Sequence, residues 1–212
     1  MRHCCRAFTS DPVAPELVHE IIDYARFAAC SKNMQPWEVI AISGQAQKKL
    51  ASNLQKALFK GQATNSPRQA DCKPPEKYWD RARQCGFSLF QHKNIARDDK
   101  EKRLQHYAEN YRFFDAPLEL FFLIHKDMPQ RQLIDMGIFL ERVMHKAQTL
   151  GLGSCPQASV SDFPGILAEH LPIKDGMEIL FGLALGYEDS EAHVNTFRTE
   201  KLSVDQILTW IK

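Results

Sequence analysis

Apolar and polar positions along the chain follow two periods, one near 3.6 and one near 2. In APELVHEIIDYARFAA, Leu17, Val18, Ile21, Ile22, Ala25 and Ala28 recur at close to helical spacing, and Pro15 suits a first turn, so the pattern predicts a helix over 15–29. WEVIAIS then alternates as a strand does, over 37–43. A helix is predicted over 46–59 and two more over 76–94 and 98–112, the last so rich in Lys, Arg, Asp and Glu that a solvated face explains it. LELFFLIH at 118–125 and MEILFGLALGY at 177–187 are near-continuous apolar runs and read as interior strands. Between them, QRQLIDMGIFLERVMHKAQTLGLG forms a helix that is apolar on nearly all sides from Ile138 to Met144. Such a helix must be covered on every face, by its own domain or by another subunit. In KLSVDQILTWIK, Ser203 or a neighbour can cap a short final helix bearing Val204, Ile207, Leu208 and Ile211. Strands interleaved with helices, without regular βαβ repetition, predict an α+β domain.

A chain of 212 residues fits a single domain, 1–212, with an excursion at about 61–112. Within that excursion the polar stretch GQATNSPRQADCKPP at 61–75 holds three prolines and few apolar anchors, which reads as a surface loop or mobile lid. The 27 basic and 26 acidic residues are interspersed and leave a net charge of +1, so no electrostatic case exists for a nucleic-acid or membrane-surface partner. No apolar run approaches the roughly 18 residues a span needs, and no leader pattern opens the chain, which points to the cytoplasm. The cysteines at 4, 5, 30, 72, 85 and 155 form no CxxC, and no HExxH accompanies the histidines. Reduced thiols and no metal site are expected.

Four segments carry candidate chemistry. RHCCRAF places two arginines and a histidine in five residues, either an ordinary charged terminus or an anion grip, since arginine makes forked, charge-assisted bonds to phosphate. SKNMQPW sets two amides at a helix-to-strand junction, where rigid elements hold loop side chains from both sides. In LGLGSCPQAS the GLG is no dinucleotide fingerprint, because the third glycine position is Pro156 and a helix precedes it where that motif needs a strand. Gly151 or Gly153 can instead cap the helix, and the loop can also bring backbone close to a flat ligand. NTFRTEKL puts Arg198 and Lys201 just before the predicted final helix.

Taken in chain order, these segments resemble the nitroreductase family of FMN enzymes. That family has an Arg-x-Ser-x-Arg/Lys-x-Phe opening, a Pro-Ser-x-x-Asn-x-Gln-Pro-Trp corner, a Gly-Leu-Gly loop after a long central helix, and a late Asn-x-x-Arg stretch. Here they read RHCCRAF, AACSKNMQPW, GLGSCPQAS and NTFRTEK, while QCGFSLF, IARDDKEKR and NYRFFDAP look like the nitrobenzoate reductase branch. The resemblance covers essentially the whole chain. It implies a nitroreductase-like fold, a central mixed β-sheet flanked by helices, assembled as a homodimer. It also implies that Arg2, Arg198 and Lys201 grip the FMN phosphate beside Cys4, that His3 lies along the ribityl chain, and that Arg6 stabilises charge at the N1/O2 edge. Ser31, Asn33 and Gln35, with Cys30 beside them, would reach the ring or ribityl oxygens partly across the dimer interface, while Pro36 and Trp37 fix the corner. Pro156, Gln157, Ala158 and Ser159 would lie against the ring, a backbone N–H of Ala158 or Ser159 near N5. Tyr107, Tyr111, Phe113 and Phe114 would wall the acceptor space, core packing being an equal use for the two phenylalanines.

The implied reaction passes hydride from NADH or NADPH through FMN to a nitroaromatic, quinone or other flat acceptor, with the cofactor carrying the chemistry. The chain departs from the family where Cys4 and Cys30 replace serines and Ala29 replaces a proline. Thiols are weak hydrogen-bond donors, which motivates a second reading, a flavin-binding protein with little or no turnover. A third is a thiol redox sensor using Cys4 and Cys5, although adjacent cysteines bridge poorly.

Overall fold

The computed structural model describes residues 2–62, 64 and 74–211. Most of the 61–75 segment, read from sequence as a loop or lid, lies outside the described residues. The two apolar runs form the middle of a sheet ordered β1-β2-β4-β3, where β1 is Glu38–Ser43, β2 Leu118–His125, β3 Gly153–Gln157 and β4 Met177–Gly186. Every neighbouring pair is antiparallel, so the sheet is not the mixed one expected. Parallel pairing enters only as an isolated bridge between Cys4 and Ser154.

Helices cover both faces, which is why β2 is apolar along its length rather than alternating. Leu120, Phe122 and Ile124 of β2 pack with Leu183 and Leu185 of β4 against α1 (Pro15–Ala25) and α5 (Gln132–Thr149). On the other face Phe121 and Leu123 pack with Ile179 and Ala184 against α2 (Gly44–Phe59) and α6 (Pro164–His170). The helices α3 (Glu76–His92) and α4 (Lys100–Tyr111) make up the excursion, within two residues of their predicted bounds. The first helix, predicted to 29, stops at Ala25, where the Ala28 amide closes a turn onto the Ala25 carbonyl at 2.8 Å.

Helix α5 is the spine of the molecule. Met136, Phe139, Val143 and Ala147 bury one side of it, and Trp37 stacks on Phe139 with ring centroids 4.6 Å apart, which fixes the start of β1. The opposite side is open in the protomer: Ile134 is 67% and Ile138 38% exposed. The helix ends on Gly151 at φ 78°, with the Leu152 amide reaching back to the Ala147 carbonyl at 3.0 Å, a glycine cap of the kind its sequence suggests. Beyond the cap, what looked like loop is the edge strand β3. Its five residues are too few for a readable period, and Pro156 is tolerated because it lies on a sheet edge.

The predicted C-terminal helix does not form. Only a 3-10 turn at Val204–Gln206 is present, with the Ser203 amide donating to Gln206 Oε1 at 2.9 Å. Ile207, Trp210 and Ile211 stand exposed, and an apolar stripe with nothing to cover it gives a short helix too little reason to propagate. Among the described residues no helix is long and apolar enough to cross a membrane.

A buried acid interrupts the core. Glu119 of β2 is wholly buried, and neither carboxyl oxygen has a hydrogen-bond partner among the described residues. Gly182 of β4 makes the room, since a Cβ there would stand 2.0 Å from Glu119 Oε1. Burial pushes the Glu119 carboxyl well above the usual range, against a smaller opposing influence of the nearby Leu183 backbone.

Candidate functional site

The two ends of the chain meet along one seam. The Cys5 amide donates to the Ser154 carbonyl of β3 at 3.0 Å, the Thr9 amide to the Tyr187 carbonyl at 2.9 Å, and the Asp189 amide to the Ala7 carbonyl at 3.1 Å. Asn195 stitches this seam from beneath. Its buried amide accepts from the Arg6 backbone N–H at 2.7 Å and donates to the carbonyls of Ala7 and Asp189 at 2.8 and 2.9 Å. Arg198 Nη1 donates to the Asn195 carbonyl at 2.6 Å, so Arg6 and Arg198 hang from a single residue although 192 positions separate them. Sequence reasoning named both arginines and passed over Asn195, whose signal was its place at the head of NTFRTEK.

Positive charge gathers at this seam. Arg2 Nη1 is buried without a hydrogen-bond partner, and Arg2 Nε stands 4.0 Å from Glu141 Oε2 of α5. His3 Nε2 lies 2.8 Å from Glu188 Oε1. The Cys4 thiol is drawn down to about 5, chiefly by a hydrogen bond with Cys155, with the charges of Arg6 and Arg2 adding to it against the cost of burial. Its partner Cys155 moves the opposite way, because the Cys4 hydrogen bond and burial both hold its proton. Cys5, next in sequence, is a different kind of thiol: burial pushes it up to about 12, and its Sγ donates to the Ala7 carbonyl at 3.1 Å. A buried guanidinium nitrogen with no hydrogen-bond partner among the described residues, with the charge of Arg6 close by, is an environment built for negative charge. It suits a phosphate ester.

Other predicted residues lie elsewhere. The amide corner is held from α5, with the Ser31 amide donating to Asp135 Oδ2 at 3.1 Å and Gln132 Nε2 to Met34 Sδ at 3.7 Å. Lys32, Asn33 and Gln35 all take positive φ (53°, 55° and 47°), a conformation that costs energy without glycine and turns their side chains outward. Ser31, Asn33 and Gln35 are exposed, and Cys30 is half-buried behind them. Gln157 turns inward. Its side chain is buried, and Nε2 donates to the Asn110 carbonyl at 2.7 Å, tying α4 to β3. Pro156 and Ser159 are half-buried and Ala158 is exposed, its carbonyl engaged by the amide and hydroxyl of Ser161.

The four aromatics divide. Phe113 and Phe114 are core residues, set in a left-handed turn with Asp115 at φ 59°, 53° and 58°. Tyr111 is buried too, its hydroxyl donating to Asp162 Oδ2 at 2.7 Å. Tyr107 alone of the four is exposed. Arg198 and Lys201 open onto a cleft of about 590 Å³ against α3, shared with Arg81, Cys85 and Ser88.

The comparisons with known proteins agree with this geometry along the whole chain. The model of the Nitroreductase family matches residues 1–187. The chain is 34% identical over 203 residues to a 4-nitrobenzoate reductase of Pseudomonas putida, covering 93% of this chain and 86% of that protein. The solved FMN and NADPH-dependent nitroreductase NfnB from Sphigopyxis sp. strain HMH superposes with a TM-score of 0.93 at 29% identity, covering 100% of this chain and 96% of the other. The FMN-dependent nitroreductase NfnB from Mycobacterium smegmatis, in complex with NADPH, gives 0.92 at 27% identity, with 100% and 95% covered. With the family model matched over residues 1–187 and a relative 34% identical over most of both chains, the chain belongs to the nitroreductase family.

Proposed function

We propose that the protein is an FMN-dependent nitroreductase that takes reducing equivalents from NAD(P)H and reduces nitroaromatic acceptors, working as a homodimer. The observation that carries this reading is the buried Arg2 Nη1, without a hydrogen-bond partner among the described residues, at the seam where both chain ends meet. There Arg2, with Arg198 and Lys201 from the late segment, would hold the phosphate, and His3 would lie along the ribityl chain. Bound FMN supplies two-electron chemistry that no side chain here offers. The chain's own part is positional and electrostatic. Arg6, clamped at its backbone by Asn195, sets a fixed cation beside the ring without reorganisation. The exposed side chains of Ser31, Asn33 and Gln35 would complete the site of a second protomer, together with the backbone at Ala158 and Ser159.

Two features support the dimer. Ile134 and Ile138 leave one side of α5 uncovered, and the tail carries Val204, Ile207, Trp210 and Ile211 into solvent. The likeness to 4-nitrobenzoate reductases of Pseudomonas putida and of a Nocardioides strain makes nitrobenzoates the first acceptors to try. The likeness to the NADPH-bound NfnB makes NADPH the first donor. The proposed dependence on NAD(P)H supports a cytoplasmic location.

The test is direct. Protein purified from a reducing host should be yellow, should elute at twice the protomer mass, and should oxidise NADPH when 4-nitrobenzoate is added. Bound FMN without oxidation of NADPH or NADH would favour a flavin-binding protein instead. A colourless protein that FMN cannot reconstitute would overturn the cofactor assignment.

A further inference from the structure

The cleft that Arg198 and Lys201 open onto has a second wall that a flavin phosphate does not account for. Arg81, Gln84, Cys85 and Ser88 line it from α3, at the i, i+3, i+4 and i+7 spacing that puts them on one helix face. The facing wall is the late segment from Phe197 to Leu202. A clasp at the end of α3 holds the two walls in register. The rings of His92 and His193 stack with centroids 4.0 Å apart, His92 Nε2 lies 2.9 Å from the His193 carbonyl oxygen, and His193 Nε2 lies 3.2 Å from that of His92. His193 and Asn195 belong to one 3-10 turn, His193–Thr196, so the clasp ties α3 to the residue from which Arg198 hangs.

Charge in this cleft is unbalanced. On α3 the acids Glu76 and Asp80 both pair with Arg83, and among the described residues no carboxylate pairs with Arg81. Arg81 lies instead over the Tyr78 ring, its guanidinium carbon 5.2 Å from the centroid, a stacking that keeps the in-plane N–H groups for an acceptor. Arg198 Nη1 is engaged by the carbonyls of Asn195 and Phe197 at 2.6 and 2.9 Å. Of the described residues that line the cleft, Glu200 is the one acid against three cations. At about 590 Å³ the space is larger than one phosphate needs and falls in the range of small-molecule sites.

We propose that this cleft takes a second phosphate, the 2′-phosphate of NADPH, and that Arg81 reads it with Gln84 and Ser88 as further donors. The choice of ligand rests on the proposed donor. NADPH and NADH differ only in that ester, which carries close to two negative charges at pH 7 where NADH has a neutral hydroxyl. A planar guanidinium can give the ester two parallel, charge-assisted bonds and gains nothing comparable from the hydroxyl. Arg81 therefore sets which donor binds and takes no part in hydride transfer, while the flavin phosphate stays with Arg2, Arg198 and Lys201.

Cys85 is exposed on the same helix face and reports on the cleft. Full-length protein, with excess FMN present throughout to occupy the flavin phosphate grip, is alkylated with iodoacetamide beside adenosine 2′,5′-bisphosphate, adenosine 5′-diphosphate or inorganic phosphate. Peptide mapping follows Cys85. The 2′,5′-bisphosphate should slow its labelling at least fivefold and the other two less than twofold, and Arg81→Ala should abolish the difference. With a nitroaromatic acceptor, Arg81→Ala should raise the KM for NADPH at least tenfold relative to that for NADH, with kcat for NADPH changed less than twofold, and Arg81→Lys should recover part of the loss. Selective protection of Cys85 in a protein that oxidises neither donor would support the site and count against the enzyme reading instead. Equal protection by the two nucleotides, protection by phosphate alone, or a KM raised alike for both donors overturns the proposal.

Discussion

The buried Glu119 makes the stability of this protein depend on pH in a direction opposite to that of a salt-bridged carboxylate. Both of its oxygens are sealed in the core without a hydrogen-bond partner, so the fold holds the neutral acid and its pKa rises well above the ordinary 4.5. In the unfolded chain the group ionises near its usual value. Above that value the unfolded state binds fewer protons than the native state, and stability falls as pH rises until the folded pKa is passed. The slope is about 1.4 kcal/mol per pH unit for one group. Each pH unit between the unfolded and the folded value therefore costs about 1.4 kcal/mol, against the roughly 5–15 kcal/mol that holds a domain together. Glu119→Gln keeps the shape and removes the titration. Urea unfolding of both proteins at pH 5, 6 and 7, at one fixed protein concentration, should show the variant gaining on the wild type by up to about that amount per pH unit. The pH at which the gap stops widening reads the folded pKa directly. Parallel stability curves, with a gap changing by less than about 0.5 kcal/mol, would refute the claim that the core holds a neutral acid.

The same packing predicts that Gly182→Ala unfolds at lower urea than the wild type, because its Cβ would stand 2.0 Å from Glu119 Oε1, and that Glu119→Ala partly relieves it. The coupling in that double-mutant cycle should be on the order of 1–3 kcal/mol. Arg2→Ala should weaken FMN retention by about 1.5–3 kcal/mol, the worth of a hydrogen bond to a charged group, read by flavin fluorescence titration. Arg198→Ala should do the same, and unchanged affinity in either variant removes that arginine from the phosphate site. Asn195→Ala deletes the bonds to Arg6, Ala7 and Asp189, so hydrogen exchange should accelerate at the amide of Arg6 and melting should fall by several degrees, uniform protection counting against its role. Trp210→Asp combined with Ile207→Asp should shift the protein from dimer to monomer in light scattering. A stable dimer in that variant would exclude the tail from the interface.

Much of the architecture was legible because burial imposes its period on sequence. The runs at 118–125 and 177–187 are apolar throughout because helices cover both sheet faces, and α1, α2, α4 and α5 show their buried faces at helical spacing. Segment β3 was not legible, since its five residues are strand only because β4 offers a hydrogen-bonding edge. The tail erred the other way, its periodicity promising a helix that has no surface here to pack on. Of the candidate site, motif singled out Arg2, His3, Arg6 and Arg198, and core packing was one of the two uses read for Phe113 and Phe114. The buried positions of Gln157 and Tyr111 were not legible, because a side chain's direction depends on what stands opposite it.

Composition and pattern by themselves determined an α+β chain with cationic residues near both ends and a central helix too apolar to stand alone, because local periodicity and charge are written residue by residue. Only the tertiary structure decided that Arg6 and Arg198 share Asn195, that Cys4 lies against Ser154 of the edge strand, and that an acid lies sealed under Gly182. Those outcomes rest on contacts between residues far apart in the chain. Such contacts, and the loss of water that comes with them, set the charge and reactivity of a side chain more strongly than its own identity does.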